Sequence, residues 1–263
     1  MSGYFQALRP VESLVFTLAF AVSVHLCAES QPIAALLSPG LLLALISVTL
    51  LYGGGNIIGS RRNPSSDSAP DTGGKKEFLQ AGITIGAAIL LALSGGLGFF
   101  SGSLLIGALL LVYGRYWKAV GVSMNFLRAL NGSLVFALGP LLTGNAGLSL
   151  YCMPVAFLLI SSREIVSDVE YIENDREAGI VSVPLRIGIT RAFITADISS
   201  ALALAIAVFC YSVNPFSMLF LTFLSFAILL FLIGNIFVFV REAGTFRRYI
   251  EMILLLLLLG AIA

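Results

Sequence analysis

The chain contains a series of long apolar stretches, each of which is long enough to cross a lipid bilayer as a helix. A transmembrane helix needs about 20 predominantly apolar residues. Because the apolar runs are continuous rather than alternating, they exclude a transmembrane β-barrel. The sequence therefore predicts an all-α, polytopic membrane protein with about nine spans, at approximately 13–29, 33–58, 78–95, 97–114, 121–142, 146–162, 189–212, 215–240 and 246–263.

The composition indicates that lipid is the main solvent of this chain. Of its 263 residues, 58% are hydrophobic and 11% are charged, whereas soluble domains carry about 25% charged residues. The net charge of +1 and the lack of a basic run give no indication of a nucleic-acid partner. The three cysteines lie in apolar stretches without metal-ligand spacing.

The charged residues gather in one of the two alternating sets of connections between spans. With nine spans, every Lys and Arg falls on the side of the N-terminus. The positive-inside rule predicts that this side is cytoplasmic and that the C-terminus is external. The charged connections of this side lie at 59–77, 115–120, 163–188 and 241–248.

The most acidic segment follows the sixth predicted span. If the helix continues there, Asp168 and Asp175 share one face about two turns apart, with Tyr171 between them. Carboxylates on one face suit a Mg²⁺–phosphate site, because Mg²⁺ takes hard oxygen ligands from one or two carboxylates and from phosphate. The alternative is a solvated amphipathic helix end. The acids of the segment are Glu164, Asp168, Glu170, Glu173, Asp175 and Glu177.

The first charged connection is rich in basic and polar residues. Its cations are Arg61, Arg62, Lys75 and Lys76, and basic side chains of this kind match the oxygens of a diphosphate. The alternative is a flexible polar loop whose cations only set the topology.

Arg128 lies inside the fifth predicted span. A charged residue in a span usually faces a cavity or a partner, so Arg128 either lines a substrate cavity or extends to the cytoplasmic surface. Asn131 shares its helix face, and Asp197 and Glu251 pose the same question in later spans.

Residues 163–188, with the sequence REIVSDVEYIENDREAGIVSVPLRIG, resemble the second aspartate motif of the UbiA superfamily of intramembrane prenyltransferases. The resemblance is to the archaeal branch that includes digeranylgeranylglyceryl phosphate synthase, whose pattern runs approximately R-E-I-x-x-D-x-E-D-x-x-G-D-x-x-x-G-x-x-T-x-P-x-x-x-G. The matching residues are Arg163, Glu164, Ile165, Asp168, Glu170, Asp175, Gly179, Pro184 and Gly188.

The resemblance extends over the whole chain and implies a single domain, residues 1–263. The implied fold is one bundle of about nine helices around a central cavity, capped by the cytoplasmic segments 59–77 and 163–188. The implied activity is Mg²⁺-assisted transfer of a prenyl group, geranylgeranyl being the best match, from a prenyl diphosphate to a lipid or aromatic acceptor. The archaeal form of the motif indicates the plasma membrane of a prokaryote, in particular an archaeon.

The residue patterns and the resemblance together predict a set of site residues. The predicted catalytic residues are Asp168, Asp175 and Arg128. The predicted diphosphate ligands are Arg61, Arg62, Lys75, Lys118 and Arg163. The predicted metal ligands are Asp67, Asn63, Asp168, Glu170 and Asp175.

Two departures from the family pattern support an alternative function. The first family motif, N-D-x-x-D-x-x-x-D, is not reproduced in 56–71: a register starting at Asn56 has no acid at the expected positions, and one three residues later keeps only Asn63 and Asp67. In the second motif Tyr171 replaces the middle aspartate. The alternative is a catalytically impaired, UbiA-like lipid-binding or scaffold protein. A secondary transporter is a third hypothesis, which the clustering of acids at the membrane surface disfavours.

Overall fold

The computed structural model describes residues 10–27, 38–59, 73–120, 123–177, 179–213 and 217–262. Throughout these ranges the regular elements are helices, and a short 3₁₀ turn, Leu93–Gly95, joins the third helix to the fourth. The helices are α1 (Pro10–Cys27), α2 (Pro39–Gly59), α3 (Gly73–Ala92), α4 (Gly96–Val120), α5 (Ser123–Ser133), α6 (Val135–Thr143), α7 (Ser149–Glu170), α8 (Ile172–Glu177), α9 (Val183–Ile187), α10 (Ile189–Val213), α11 (Met218–Val240) and α12 (Ala243–Ile262).

Several of the described helices are long and apolar enough to cross a membrane, which agrees with the predicted all-α, polytopic membrane fold. One of the qualifying stretches covers both α3 and α4, and the predicted count of nine spans stays a prediction. Within the described ranges six stretches qualify: Pro39–Ile57, Lys76–Val112, Asn125–Thr143, Ser149–Glu170, Ile189–Val213 and Met218–Val240.

The chain divides into two compact units. The first comprises Met1–Arg115 and Val135–Ser149, and the second comprises Tyr116–Leu134 and Leu150–Ala263. The boundary at residue 134 separates α5 from α6, which the sequence predicts as one continuous span. The single domain capped by two cytoplasmic segments stays a prediction.

In the first unit, α1 packs closely against α6 through small residues. The hydroxyls of Ser23 and Ser149 lie 2.6 Å apart, and each lies within 3.0 Å of the Phe136 carbonyl oxygen. The backbone N–H of Gly139 donates to the Ser23 hydroxyl over 3.2 Å. A Cβ at Gly139 would lie 2.7 Å from the carbonyl carbon of Ser23, so glycine permits this close approach of two helices.

In the second unit, α11 buries one face and exposes the rest. Its buried residues recur at helical spacing and pack towards α10 and α12. Its large exposed side chains include Phe226 and Phe239, which is 86% exposed. A helix with this distribution faces lipid over most of its circumference. The buried residues are Phe220, Leu224, Ala227 and Gly234.

Replacing Gly139 by alanine should lower the melting temperature of the detergent-purified protein, because the added methyl group must displace the backbone of α1. Overpacking of this kind costs about 1–3 kcal/mol. Gly86→Ala is the matched control, since a Cβ at Gly86 meets no atom within 4 Å. Thermal unfolding followed by size-exclusion chromatography measures both. Equal melting temperatures for the two variants would contradict the close packing of α1 on α6.

Candidate active site

The acidic segment forms the end of α7 and the short helix α8. The break between them falls at Tyr171, but the backbone N–H of Asp175 still donates to the Tyr171 carbonyl over 3.0 Å, so the helical register continues. Asp168 and Asp175 are 2% and 1% exposed, whereas Glu173 and Glu177 are exposed. The two aspartates predicted to share a helix face are therefore both buried.

Asp168 is held by an amide of α5. The side-chain Nδ2 of Asn125 donates to Oδ2 of Asp168 over 2.7 Å, and both residues are buried. This hydrogen bond fixes the orientation of the carboxylate without adding positive charge, since the amide is neutral. A carboxylate oriented in this way remains suited to binding a cation.

Glu164, one turn before Asp168, lies between two arginines. Arg128 of α5 forms an ion pair with its Oε2, and Nη1 of Arg163 lies 2.7 Å from its Oε1. The Glu164 side chain is 2% exposed, and those of Arg128 and Arg163 are 23% and 26% exposed. The two cations offset the cost of burying this carboxylate.

The last helix supplies a second set of charges to α7. Nε of Arg163 donates to Oε1 of Glu251 over 2.8 Å. Nη1 of Arg247 lies 2.9 Å from Oε2 of Glu170. Three helices of the second unit, α5, α7 and α12, are thus joined by ion pairs and hydrogen bonds at one level.

The structure brings together only some of the predicted site residues. The hydrogen bonds and ion pairs of α5, α7 and α12 join a connected group of side chains, which includes Asp168, Glu170, Arg128 and Arg163. Asp175 is buried in α8. The predicted roles of all these residues stay predictions. Outside the described residues lie Arg61, Arg62, Asn63 and Asp67, together with the side chains of Lys75 and Lys118, whose backbones belong to α3 and α4.

Three further polar residues singled out by sequence have defined positions. Asn56 on α2 donates through Nδ2 to the Ser13 hydroxyl of α1 over 3.2 Å. Asn131 is buried on α5, and Asp197 is half-buried within α10.

Two residues of the connected group, Asn125 and Arg247, are not among the site residues predicted from sequence. Asn125 carries no motif, and Arg247 is counted there only as a cation that orients the chain. One signal could have identified Arg247, because it lies one helical turn before Glu251, the spacing of an ion-paired face. Asn125 has a comparable signal, because it lies three residues before Arg128 on the same helix face.

The donor set of the second unit fits Mg²⁺ in its chemistry. Across the described ranges no group of three or more Asp, Glu, His or Cys side chains is arranged as a metal site. Mg²⁺, however, usually binds proteins through one or two carboxylates and completes its shell with phosphate oxygens and water. Asp168 and Asp175 supply two such carboxylates, and Glu170 forms an ion pair with Arg247.

The sequence is similar to a protein family and to several of its archaeal members. Residues 75–251 match the model of the UbiA prenyltransferase family. The digeranylgeranylglyceryl phosphate synthase of Methanothermobacter thermautotrophicus is 28% identical over 248 residues, which cover 88% of this chain and 83% of the relative. The enzyme of the same name from Methanoregula boonei is 30% identical over 219 residues, covering 77% and 75%.

The fold is similar to solved structures. A UbiA homolog from Aeropyrum pernix, in its apo form, superposes with a TM-score of 0.75 at 14% identity and covers 95% of each chain. A UbiA homolog from Archaeoglobus fulgidus bound to GPP and Mg²⁺ superposes with a TM-score of 0.73 at 20% identity, covering 98% of this chain and 97% of the homolog. At these identities the likeness shows the shared fold.

Removing the carboxylate of Glu164 should destabilise the protein strongly, because Arg128 and Arg163 lose a buried partner. Breaking a buried ion pair by deleting one member costs about 3–5 kcal/mol, so the melting temperature of Glu164→Ala should fall. Glu173→Ala is the control, since Glu173 pairs with Arg176 at 2.7 Å but both side chains are at least 60% exposed. Exposed pairs contribute about 0–1 kcal/mol. Similar melting temperatures for the two variants would contradict the role given to Glu164.

The family match and the shared fold confirm the resemblance predicted from residues 163–188, together with the all-α, polytopic membrane architecture. They also confirm the predicted class of activity, intramembrane transfer of a prenyl group from a prenyl diphosphate. The chain, an integral membrane protein, belongs to the UbiA prenyltransferase family.

Proposed function

We propose that the chain is a catalytically active prenyltransferase that moves a geranylgeranyl group from its diphosphate to an isoprenoid glycerol phosphate in the membrane. The relatives named digeranylgeranylglyceryl phosphate synthase, which match over most of their length, support this choice of donor and acceptor. The observation that carries the proposal is the burial of Asp168, near the end of the long apolar helix α7, and of Asp175, in the short helix α8 that follows it.

In this proposal Asp168 and Asp175 hold Mg²⁺ at the diphosphate of the donor. When bound, Mg²⁺ stabilises as a Lewis acid the negative charge that develops on the leaving diphosphate. Asn125 keeps the Asp168 carboxylate in one orientation through its 2.7 Å hydrogen bond. Arg128, which lies one helical turn after Asn125 on α5, adds positive charge to the site.

The basic residues predicted from the sequence as diphosphate ligands keep that role in the proposal. Arg61, Arg62, Lys75 and Lys118 would contact the phosphate oxygens, to which cationic side chains bind strongly. Asn63 and Asp67 are proposed as further oxygen ligands of the metal. The prenyl tail would lie among the apolar spans, where the scarcity of water protects an allylic cation from hydrolysis.

A second candidate function is lipid binding or scaffolding without turnover. Tyr171 favours it, because a phenol at the middle acid position of the motif is a poor ligand for Mg²⁺ compared with a carboxylate.

Turnover distinguishes the two functions. Protein in nanodiscs, supplied with radiolabelled geranylgeranyl diphosphate, an isoprenoid glycerol phosphate and Mg²⁺, should form a prenylated lipid product, and chelation of Mg²⁺ should stop it. Asp168→Asn and Asp175→Asn should each lower kcat/KM by about 10²–10³-fold, as expected for removal of a group that stabilises transition-state charge. Glu173→Gln, an exposed acid of the same segment, should retain wild-type turnover. A wild-type protein that forms no product with prenyl donors of any length would reject the proposal.

The proposed orientation, with the acidic segment in the cytoplasm of an archaeal cell, is tested by labelling. In a variant without Cys27, Cys152 and Cys210, a cysteine introduced by Glu173→Cys should react with a membrane-impermeant maleimide only in inside-out vesicles. A cysteine introduced by Ala146→Cys, in the exposed turn before α7, should react only in right-side-out vesicles. The reverse labelling pattern would invert the topology.

A further inference from the structure

Six charged side chains of α5, α7 and α12 form one continuous ion-pair network in which acids and bases alternate. In order of contact it runs Glu170, Arg247, Glu251, Arg163, Glu164, Arg128. The distances that link its α7–α12 part are 2.9 Å from Arg247 to Glu170, 3.9 Å from Arg247 to Glu251 and 2.8 Å from Arg163 to Glu251. Three acids and three bases thus balance one another.

This ion-pair network includes residues on both sides of Asp168 along α7. Glu164 lies one turn before Asp168 and is fixed to α5, and Glu170 lies half a turn after it and is fixed to α12. Because α7 is tied to both α5 and α12, it cannot rotate about its axis without breaking ion pairs. The direction of the Asp168 carboxylate therefore depends on α12 as well as on Asn125.

The ion pairs with α12 are neither buried nor fully solvated. Glu170, Arg247 and Arg163 are 30%, 24% and 26% exposed, and Glu251 is 41% exposed. Pairs in this range are screened less than surface pairs and carry a smaller desolvation cost than buried pairs. They are consequently suited to fixing geometry, and their loss leaves the apolar core of the unit intact.

We propose that Arg247 and Glu251 of the last helix are positioning residues that hold the end of α7 in the orientation required for prenyl transfer. Arg163 and Glu170 are their partners in this role, rather than a diphosphate ligand and a metal ligand. The inference rests on the proposed function, because it assigns these side chains to the presentation of Asp168 and Asp175.

A double-mutant cycle separates positioning from ligand binding. Glu170→Gln and Arg247→Gln should each lower kcat/KM for the prenyl donor by roughly 10- to 100-fold, the range expected for a small misplacement of catalytic groups. If the two residues act through one ion pair, kcat/KM of the double variant should be no lower than that of the less active single variant. If Glu170 is instead a metal ligand, the two losses should multiply, which would overturn the inference.

Charge exchange gives a second, independent outcome. The variant that combines Glu170→Arg with Arg247→Glu restores the pair with its polarity reversed, and its kcat/KM should recover to within about tenfold of wild type. A ligand role for Glu170 predicts no recovery, because the carboxylate has moved to another helix. Arg247→Lys keeps the charge and should retain most activity. The exposed neighbour Arg248 provides the control, since Arg248→Gln should match wild type in kcat/KM and in melting temperature.

Hydrogen exchange of substrate-free protein distinguishes failure of this inference from failure of the proposed function. Amides of residues 164–177 should exchange faster in Arg247→Gln and Glu251→Gln than in wild type, and at the wild-type rate in Arg248→Gln. Unchanged exchange in the two α12 variants would overturn the inference, whatever the turnover. Absence of product from wild-type protein would overturn the proposed function alone, because the exchange measurement needs neither substrate nor metal.

Discussion

The buried carboxylate of Glu164 is compatible with this fold because two arginines from different positions lie against it. An isolated charge at the edge of an apolar span would be costly. Arg128 and Arg163 offset this cost. Since Arg128 belongs to α5 and Arg163 also contacts Glu251 of α12, neutralising one acid fixes the relative placement of three helices of the second unit.

The arrangement of charges also separates two kinds of acid in the same segment. Glu164 and Glu170 share ion pairs with arginines, whereas Asp168 receives a hydrogen bond from the neutral amide of Asn125. The segment thus uses its glutamates to set the position of the helix, and this leaves Asp168 oriented at the junction between apolar spans and a polar end. That junction suits a donor with a prenyl tail and a diphosphate head.

The helices that could be predicted from sequence are those that long apolar runs determine by themselves. The predicted spans 189–212 and 215–240 differ by at most a few residues from α10 and α11, because long apolar runs leave helix as the available conformation in lipid. The seven-residue spacing correctly grouped Asp168 with Asp175, since the helical register persists through Tyr171. The division at Leu134 was missed, although Asn131, Gly132 and Ser133 directly before it interrupt the apolar run and are residues that often end a helix. The pairing of Arg163 with Glu251, 88 residues apart, depends on tertiary packing that spacing does not encode.

Burial of the aspartates bears on whether the chain is an enzyme or a scaffold. A protein that only presents a lipid or a partner would need the stabilising network of glutamates and arginines, but it would not need Mg²⁺ ligands at Asp168 and Asp175. Both side chains are at most 2% exposed, and ionisable groups buried at membrane level are expensive and generally functional. In the proposed function, binding of Mg²⁺ explains the burial of these two acids, although Tyr171 stands at the middle aspartate position of the motif.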